Sequence, residues 1–222
     1  TSSVSEKELE AIKADVSTSI PLTEKMMKLS MSDPKVFKEL SVQIDKYIAD
    51  HPKGRFAPFL GESVKQLKEM VARIENWEKN KVGEAAREVV GKTVDGKDVK
   101  LSDLKGKVVL LDFWATWCPP CVMMVPHMKD IYEKNRDKGF EIIGISSDHE
   151  KSDLTDFIKE HDLKWPMIFD GDPDKDSISN TYGITSFPTL ILVGKDGKIT
   201  KIMNGAESDL NAAIAEALGE KK

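Results

Sequence analysis

The spacing of apolar residues divides the chain into two regions with different predicted structure. Up to about residue 82, apolar side chains recur every three or four positions, which indicates amphipathic helices. The apolar stripes contain Leu9, Ile12 and Val16, then Val36, Phe37, Leu40, Ile44, Tyr47 and Ile48, and finally Val64, Leu67, Met70, Val71, Ile74 and Trp77. The last stripe predicts a helix from about Leu60 to Asn80. We therefore expect residues 1–82 to form an all-α region of three or four helices.

Beyond Gly83 the pattern changes to short apolar runs that alternate with helical stretches. The predicted strands are Val108 to Trp114, Phe140 to Ser146, Thr189 to Val193 and Ile199 to Met203, with two shorter ones beside a turn at Val94 to Lys97. The predicted helices are Pro119 to Lys138, Lys151 to His161 and Glu207 to Leu218. Strands that alternate with helices predict an α/β domain with parallel crossovers. The turn from Gly194 to Gly197 predicts a closing antiparallel hairpin.

Composition and charge exclude some classes of function. The 222 residues carry a formal net charge of −5, so the chain has no electrostatic reason to bind nucleic acid. Every apolar run is shorter than the roughly 20 residues that a membrane-spanning helix needs. The length accommodates one or two domains with a substantial core.

Cys118 and Cys121 are the only cysteines in the chain, and two prolines separate them. Such a pair can form a structural bridge, a catalytic dithiol or half of a zinc site. A predicted buried strand ends before the pair and a predicted helix begins with it, which favours a redox-active dithiol. A zinc site needs about four ligands, and the four histidines do not pair at ligand spacing. We therefore expect no metal.

Several further motifs accompany the dithiol. They are the run from Gly106 to Cys121, Pro126 five residues after the second cysteine, the segment Tyr182 to Thr189, and the turn Gly194 to Gly197. With these motifs, residues from about 83 to 222 resemble the thioredoxin superfamily, and within it the TlpA/ResA-like extracytoplasmic thiol–disulfide oxidoreductases. The resemblance implies a thioredoxin-like α/β fold, with a central mixed sheet flanked by helices. It does not extend to the all-α N-terminal region.

The resemblance also implies catalytic roles for three residues. Cys118, at the N-terminus of a helix, would attack a substrate disulfide, and Cys121 would resolve the mixed disulfide. Asp112 matches a buried aspartate of thioredoxins and would accept the proton of Cys121, directly or through water. The alternative for Asp112 is a structural ion pair with a lysine.

Five residues are candidates for contact with the substrate: Trp117, Pro119, Pro120, Phe187 and Pro188. Phe187-Pro188 matches the family's cis-proline position, where the preceding backbone would pair with an extended substrate. Trp117 would supply an apolar rim beside the cysteines.

The two prolines of the motif also suggest the direction of the reaction. Pro119 and Pro120 have no N–H group, so only those of Cys121 and Val122 remain near the Cys118 sulfur in the first turn. We therefore expect the Cys118 thiolate to be stabilised only modestly. A less stable thiolate favours the disulfide form, which predicts a protein that reduces its partners.

Two other functions stay open. Peroxiredoxins share the fold, so a thiol-dependent peroxidase is one alternative, although Ala115 stands where their motif has Thr or Ser. The other alternative makes the N-terminal helices an oligomerisation or client-binding module that the thioredoxin-like domain carries. The helices could equally do no more than pack on the catalytic domain.

The expected partners are protein disulfides or dithiols, an upstream membrane thiol reductant, and a second copy of the chain bound through the N-terminal helices. We expect no cofactor beyond the Cys118–Cys121 disulfide and no nucleic acid. The resemblance places the protein in the bacterial periplasm or cell envelope. Because the sequence begins at Thr1 rather than Met, a removed signal peptide or lipid anchor and an arbitrary boundary are both open.

Overall fold

The computed structural model describes residues 5–27, 34–171, 177–205 and 209–220. The chain divides into two compact units, Thr1–Glu75 and Asn76–Lys222. This division falls a few residues before the predicted boundary between residues 82 and 83.

The first unit is helical, as predicted. Its helices are α1 (Glu6–Met27), α2 (Pro34–Asp50) and α3 (Ala57–Trp77), so the third begins and ends about one turn earlier than expected. Side chains from all three helices form its core, which contains Leu22, Phe37, Leu40, Ile44, Tyr47, Ala57, Leu60, Val64, Leu67 and Val71. The apolar period therefore identified most of the core of α2 and α3.

The buried face of α1 differs from the predicted one. Leu9 and Ile12 are 46% and 52% exposed, whereas the polar residues Asp15 and Ser19 are buried. The Asp15 carboxylate accepts hydrogen bonds from the Tyr47 hydroxyl and, at 2.9 Å, from the backbone N–H of residue 55. A buried carboxylate is tolerated when donors surround it, so these bonds turn a polar face of α1 inward. The spacing of apolar residues predicted the helix α1 but not which of its faces is buried.

The second unit is an α/β domain whose strands and helices alternate along the chain. Its strands are β1 (Val90–Lys92), β2 (Asp98–Lys100), β3 (Val108–Trp114), β4 (Phe140–Ser146), β5 (Met167–Phe169), β6 (Thr189–Val193) and β7 (Ile199–Asn204). Its helices are α4 (Pro119–Asn135), α5 (Lys151–His161), α6 (Ile178–Tyr182) and α7 (Leu210–Leu218), with 3-10 turns at Leu101–Leu104 and Arg136–Lys138.

The central sheet has the strand order β5-β4-β3-β6-β7. β3 pairs in parallel with β4 and antiparallel with β6, which makes the sheet mixed, as the fold prediction required. All seven residues of β3 are buried, because apolar layers cover both faces of the sheet. β1 and β2 form a separate antiparallel hairpin.

Two elements of this domain were not predicted, the strand β5 and the helix α6. They have three and five residues, too few for apolar spacing to reveal a period. The strands β3, β4, β6 and β7 and the helix α5 match the predicted ranges to within one residue, and β1 and β2 lie on either side of the predicted turn. The predicted start of the last helix at Glu207 lies outside the described residues.

Candidate redox site

The two cysteines form a disulfide at the N-terminus of α4. The S–S distance is 2.07 Å and the Cα–Cα distance is 5.3 Å. Cys118 is the N-cap residue, and its sulfur accepts a hydrogen bond from the Cys121 N–H at 3.3 Å. β3 ends at Trp114, so the short segment after it delivers Cys118 to the helix terminus.

The first turn of α4 offers fewer donors to the Cys118 sulfur than the sequence suggested. Pro119 and Pro120 occupy the first two helical positions and have no N–H. The Val122 N–H, which we expected near the sulfur, instead bonds the Cys118 carbonyl oxygen at 3.1 Å. The N–H of Cys121 is therefore the one first-turn donor to the sulfur in this structure.

An aromatic rim lies beside the disulfide. Trp117 is 51% exposed, and its ring forms a T-shaped pair with that of Phe187 at a centroid distance of 5.8 Å. On another side, the His149 ring stacks on Trp117 at 5.9 Å with an interplanar angle of 13°. The Phe187–Pro188 peptide bond is cis. The structure thus brings together two of the predicted substrate-binding residues, and it adds His149, which the sequence analysis did not assign.

Asp112 lies on the central strand β3 and is buried. Its carboxyl group has no hydrogen-bond or ion-pair partner among the described residues, so the predicted alternative, a structural pair with a lysine, finds no support there. Burial raises the pKa of Asp112 from 3.8 to about 7. Asp112, Cys121 and Pro188 line one small cavity of about 10 Å³. A carboxyl group that titrates near neutral pH thus shares a cavity with the second cysteine.

The sequence analysis missed a second buried aspartate, Asp148, which follows β4. Its carboxylate accepts hydrogen bonds from the Thr116 N–H at 2.9 Å, from the Thr116 hydroxyl at 2.7 Å and from the Ser146 hydroxyl at 2.5 Å. The neighbouring Ser147 N–H bonds the Trp114 carbonyl at 3.0 Å. These contacts hold the segment between β3 and Cys118.

A signal for Asp148 was present in the sequence. The polar residues Ser147 and Asp148 come directly after a predicted buried strand, whose last residue is the polar Ser146. Parallel strands end at the same edge of a sheet, so polar residues after β4 lie near those after β3. The prediction would have required knowing that these two strands are neighbours, as their register shows.

Neither a metal centre nor a membrane span is found in the described parts of the chain. No group of three or more His, Cys, Asp or Glu side chains there could hold a metal ion. No helix there combines the length and the apolar composition needed to cross a membrane.

Comparisons with known proteins agree with this geometry. The Redoxin family profile matches residues 81–218. The thiol-disulfide oxidoreductase ResA of Bacillus thuringiensis subsp. konkukian is 38% identical over 131 residues, which cover 59% of this chain and 74% of that protein.

Solved structures give the same result for the fold. The thioredoxin domain of a thiol-disulfide oxidoreductase from Bacteroides vulgatus has a TM-score of 0.56 and 31% identity, covering 62% of this chain and 98% of that chain. A thioredoxin family thiol:disulfide interchange protein from Chlorobium tepidum TLS has a TM-score of 0.55 and 27% identity, covering 61% and 96% respectively. The chain therefore belongs to the Redoxin family within the thioredoxin superfamily, and it is a ResA-like thiol–disulfide oxidoreductase.

Proposed function

We propose that this oxidoreductase reduces protein disulfides through its Cys118–Cys121 dithiol. The Cys118 thiolate attacks a substrate disulfide, forms a mixed disulfide and releases one substrate thiolate. The Cys121 thiolate then attacks the Cys118 sulfur and releases the second. Two electrons pass to the substrate, and the enzyme is left as the disulfide. The observation that carries this proposal is the cysteine pair at the end of α4, beside the exposed ring of Trp117.

Asp112 is the proposed base for the second step. Cys121 must lose its proton before it can attack, and Asp112 lines the same cavity. With a pKa of about 7, a large share of Asp112 is ionised near neutral pH and can accept that proton. We expect Asp112→Asn to slow resolution of the mixed disulfide by a factor of about 10² at pH 7.

The proposed direction, reduction of the partner, follows from the donors around Cys118. One N–H contacts its sulfur, and two prolines remove others. With few donors, the Cys118 thiolate of the reduced protein gains little stability relative to the disulfide. Equilibration with glutathione buffers should give a potential more negative than about −180 mV. A value near about −120 mV, or thiolate absorbance with a midpoint near about pH 3.5, would contradict this direction.

The remaining features of the proposal concern the electron supply and the compartment. We propose that no bound cofactor takes part, because the dithiol itself carries both electrons. Stable protein disulfides form and persist outside the cytoplasm, and a dithiol reductase would meet its substrates there. In that compartment a thiol reductant in the membrane would regenerate the dithiol. Cell fractionation and trapping of a mixed disulfide with a membrane protein test these two features.

Insulin reduction with dithiothreitol as electron donor tests the proposed reaction directly. We expect the wild type to accelerate precipitation of the insulin chains, and Cys118→Ala to abolish the acceleration. Cys121→Ala should instead accumulate a mixed disulfide with the substrate, because the resolving thiolate is missing. Peroxide consumption serves as the control for the peroxidase alternative. Peroxide turnover without insulin reduction would replace the proposal by that alternative.

We propose further that the N-terminal helices bind a second copy of the chain. The apolar side chains of Leu9, Ile12 and Ile20 on α1 are about half exposed, so one helix offers three apolar side chains for contact with a second copy. Light scattering of the full chain should show a dimer that the triple change of these residues to serine converts to a monomer. The same mass for both proteins would remove this part of the proposal and leave client binding or simple packing.

A further inference from the structure

A second and much larger cavity lies in the redox domain, and neither cysteine lines it. Its volume is about 450 Å³, within the range of about 300–1,000 Å³ that small-molecule sites occupy. The β1–β2 hairpin, the 3-10 turn that follows β2 and the segment between α5 and β5 contribute most of its lining. We call it the outer cavity, and the small cavity beside Cys121 the inner cavity.

The lining of the outer cavity is apolar where it is buried. Leu163, Trp165 and Met167 are buried and belong to one apolar layer of the domain. Val94 and Ile158 are partly buried and pack against the same layer. An apolar molecule in contact with these side chains would lose its water-exposed surface, which is a favourable term in binding.

Backbone contacts hold the hairpin beside this cavity in place. The Val94 N–H donates to the Met167 carbonyl at 2.9 Å, and Thr93 forms an antiparallel bridge with Ile168. Gly91 on β1 approaches Ile168 so closely that a Cβ there would lie 3.0 Å from two of its carbon atoms. The hairpin is thus fixed to the edge strand β5, so a ligand would enter a cavity that is already formed.

The charged groups at the outer cavity compensate one another. Asp95 and Lys97 both line it and pair at 2.8 Å. Three other charged lining residues have an ion-pair partner just outside the lining: Asp98 with Lys92, Glu141 with Lys107, and Lys164 with Asp162. The last two, Lys100 and Asp103, carry opposite charges. An ionised ligand would lose hydration here without a net opposite charge in return, so the cavity favours a neutral one.

Three side chains, Leu163, Trp165 and Met167, line both the outer and the inner cavity. Asp112 and Cys121 line the inner cavity on their other side. An apolar ligand would displace the solvent that otherwise fills the outer cavity, which leaves the surroundings of the inner cavity less polarisable. Such surroundings disfavour charged forms, so the Asp112 carboxylate and the Cys121 thiolate would both form less readily.

We propose that the outer cavity binds a neutral, predominantly apolar small molecule, and that the bound molecule slows resolution of the mixed disulfide by Cys121. The binding site itself depends on the outer cavity alone. Its regulatory effect rests on the proposed function, in which Cys121 must ionise before it attacks. Cys118 lines neither cavity, so its attack on the substrate keeps its rate. The molecule regulates the reaction and carries no electrons.

Methyl NMR titration of the oxidised protein with indole, a neutral apolar probe, tests the site. We expect saturable shifts of the Val94, Val99 and Ile158 signals, with a Kd of about 0.1–1 mM. Val99→Asp should weaken binding at least tenfold, because it adds a carboxylate to the lining. Val90→Asp is the matched control, since Val90 is exposed on the neighbouring strand and does not line the cavity. If Val99→Asp does not fold, the location of the shifts in the wild type decides.

Charged relatives of the probe test the proposed class of ligand. Tryptamine adds a positive charge to the indole ring and indole-3-acetate adds a negative one. We expect both to bind at least fivefold more weakly than indole, because the lining has no net charge to offset their lost hydration. Tighter binding of either would contradict the neutral class.

Single-turnover reduction of insulin by the reduced protein at pH 7 tests the regulatory effect. Acid quenching at successive times separates formation of the mixed disulfide from its resolution. Saturating indole should slow resolution about twofold to threefold, the equivalent of about 0.3–0.5 unit in the pKa of the ionising groups, and leave formation unchanged. In Val99→Asp, the same indole concentration should leave both steps unchanged.

Shifts that do not saturate, or that lie away from the outer cavity, overturn the site. Resolution at an unchanged rate with indole bound overturns the regulatory effect. Failure of the proposed function is distinct from both, because it appears as absent insulin reduction without any probe. Binding is measured in the oxidised protein without substrate and does not depend on that result.

Discussion

Two buried aspartates of the redox domain, Asp112 and Asp148, have opposite surroundings. Asp148 is fully buried and accepts three hydrogen bonds, two from Thr116 and one from Ser146. Asp112 is nearly as buried but has no partner among the described side chains and backbone groups, and its pKa is raised to about 7. Burial alone therefore does not decide what a carboxyl group does.

This difference distinguishes a carboxylate that stabilises the fold, Asp148, from a carboxyl group that can take part in proton transfer, Asp112. Donors that surround a carboxylate stabilise its charge and connect it to the backbone that supplies them. Asp148 thus holds the segment that leads to Cys118. A carboxyl group without donors stays poised between its two protonation states and can exchange a proton with a neighbour. Asp112 has that property, and its neighbour is Cys121.

The largest expected effect comes from removing the structural carboxylate. Asp148→Ala leaves the Thr116 N–H and two hydroxyls without their acceptor in a buried place, which should lower the free energy of unfolding by about 4 kcal/mol. Urea unfolding of the oxidised protein at pH 7 measures this loss. Asp112→Ala is the matched control, and a loss as large in that variant would contradict the distinction between the two carboxylates.

Removing the Asp112 carboxyl group should instead increase the free energy of unfolding above neutral pH. The raised pKa of Asp112 means that the folded protein holds this proton more tightly than the unfolded chain does. The resulting stabilisation is complete below about pH 4 and is lost as the pH rises through about 7. Asp112→Asn should therefore increase the free energy of unfolding at pH 8 by about 3 kcal/mol relative to the wild type.

This second prediction is checked by urea unfolding of both oxidised proteins from pH 4 to pH 8. The wild type should lose stability over this range relative to Asp112→Asn, and the two curves should converge at the acidic end. Parallel curves would show that Asp112 has its ordinary pKa in the folded protein.

Removal of the Thr116 hydroxyl tests how much one donor to Asp148 contributes to stability. Thr116→Val removes one of the three donors to Asp148 but keeps the backbone N–H, so we expect a loss of about 1–2 kcal/mol in the free energy of unfolding. Thr155→Val is the matched control, because the Thr155 hydroxyl bonds a carbonyl on the exposed surface of α5. Equal losses of unfolding free energy in the two variants would show that the hydrogen bond to Asp148 contributes no more to stability than an exposed one.

The smallest expected effect concerns the residue after Asp148. The His149 ring stacks on the half-exposed Trp117, so His149→Ala should cost no more than about 0.5–1 kcal/mol in the free energy of unfolding. Loss of the stack frees Trp117 to move, and the KM for insulin should rise about twofold to threefold while kcat changes little. Glu150→Ala is the control, and an equal rise in KM there would assign the effect to the loop as a whole.

Much of the fold could be read from apolar spacing. The strands β3, β4 and β6 and the helix α5 lie where the sequence predicts them, because each has a strong run or period of its own. The buried side of α1 could not be read in this way. Hydrogen bonds from Tyr47 and the neighbouring backbone bury Asp15, while Leu9 and Ile12 stay exposed.

The sequence by itself determined the redox pair, the interrupting aspartate on the central strand and the two prolines that remove donors, because each of these is a local pattern. The tertiary structure decided which groups surround the two buried aspartates. Strand pairing brings the end of β4 to the end of β3 and so brings Asp148 to the Thr116 donors, and the segment between α5 and β5 contributes Trp165 to the cavity beside Asp112. The environment of a carboxyl group is made by residues distant in sequence, so its pKa and its role follow from the fold.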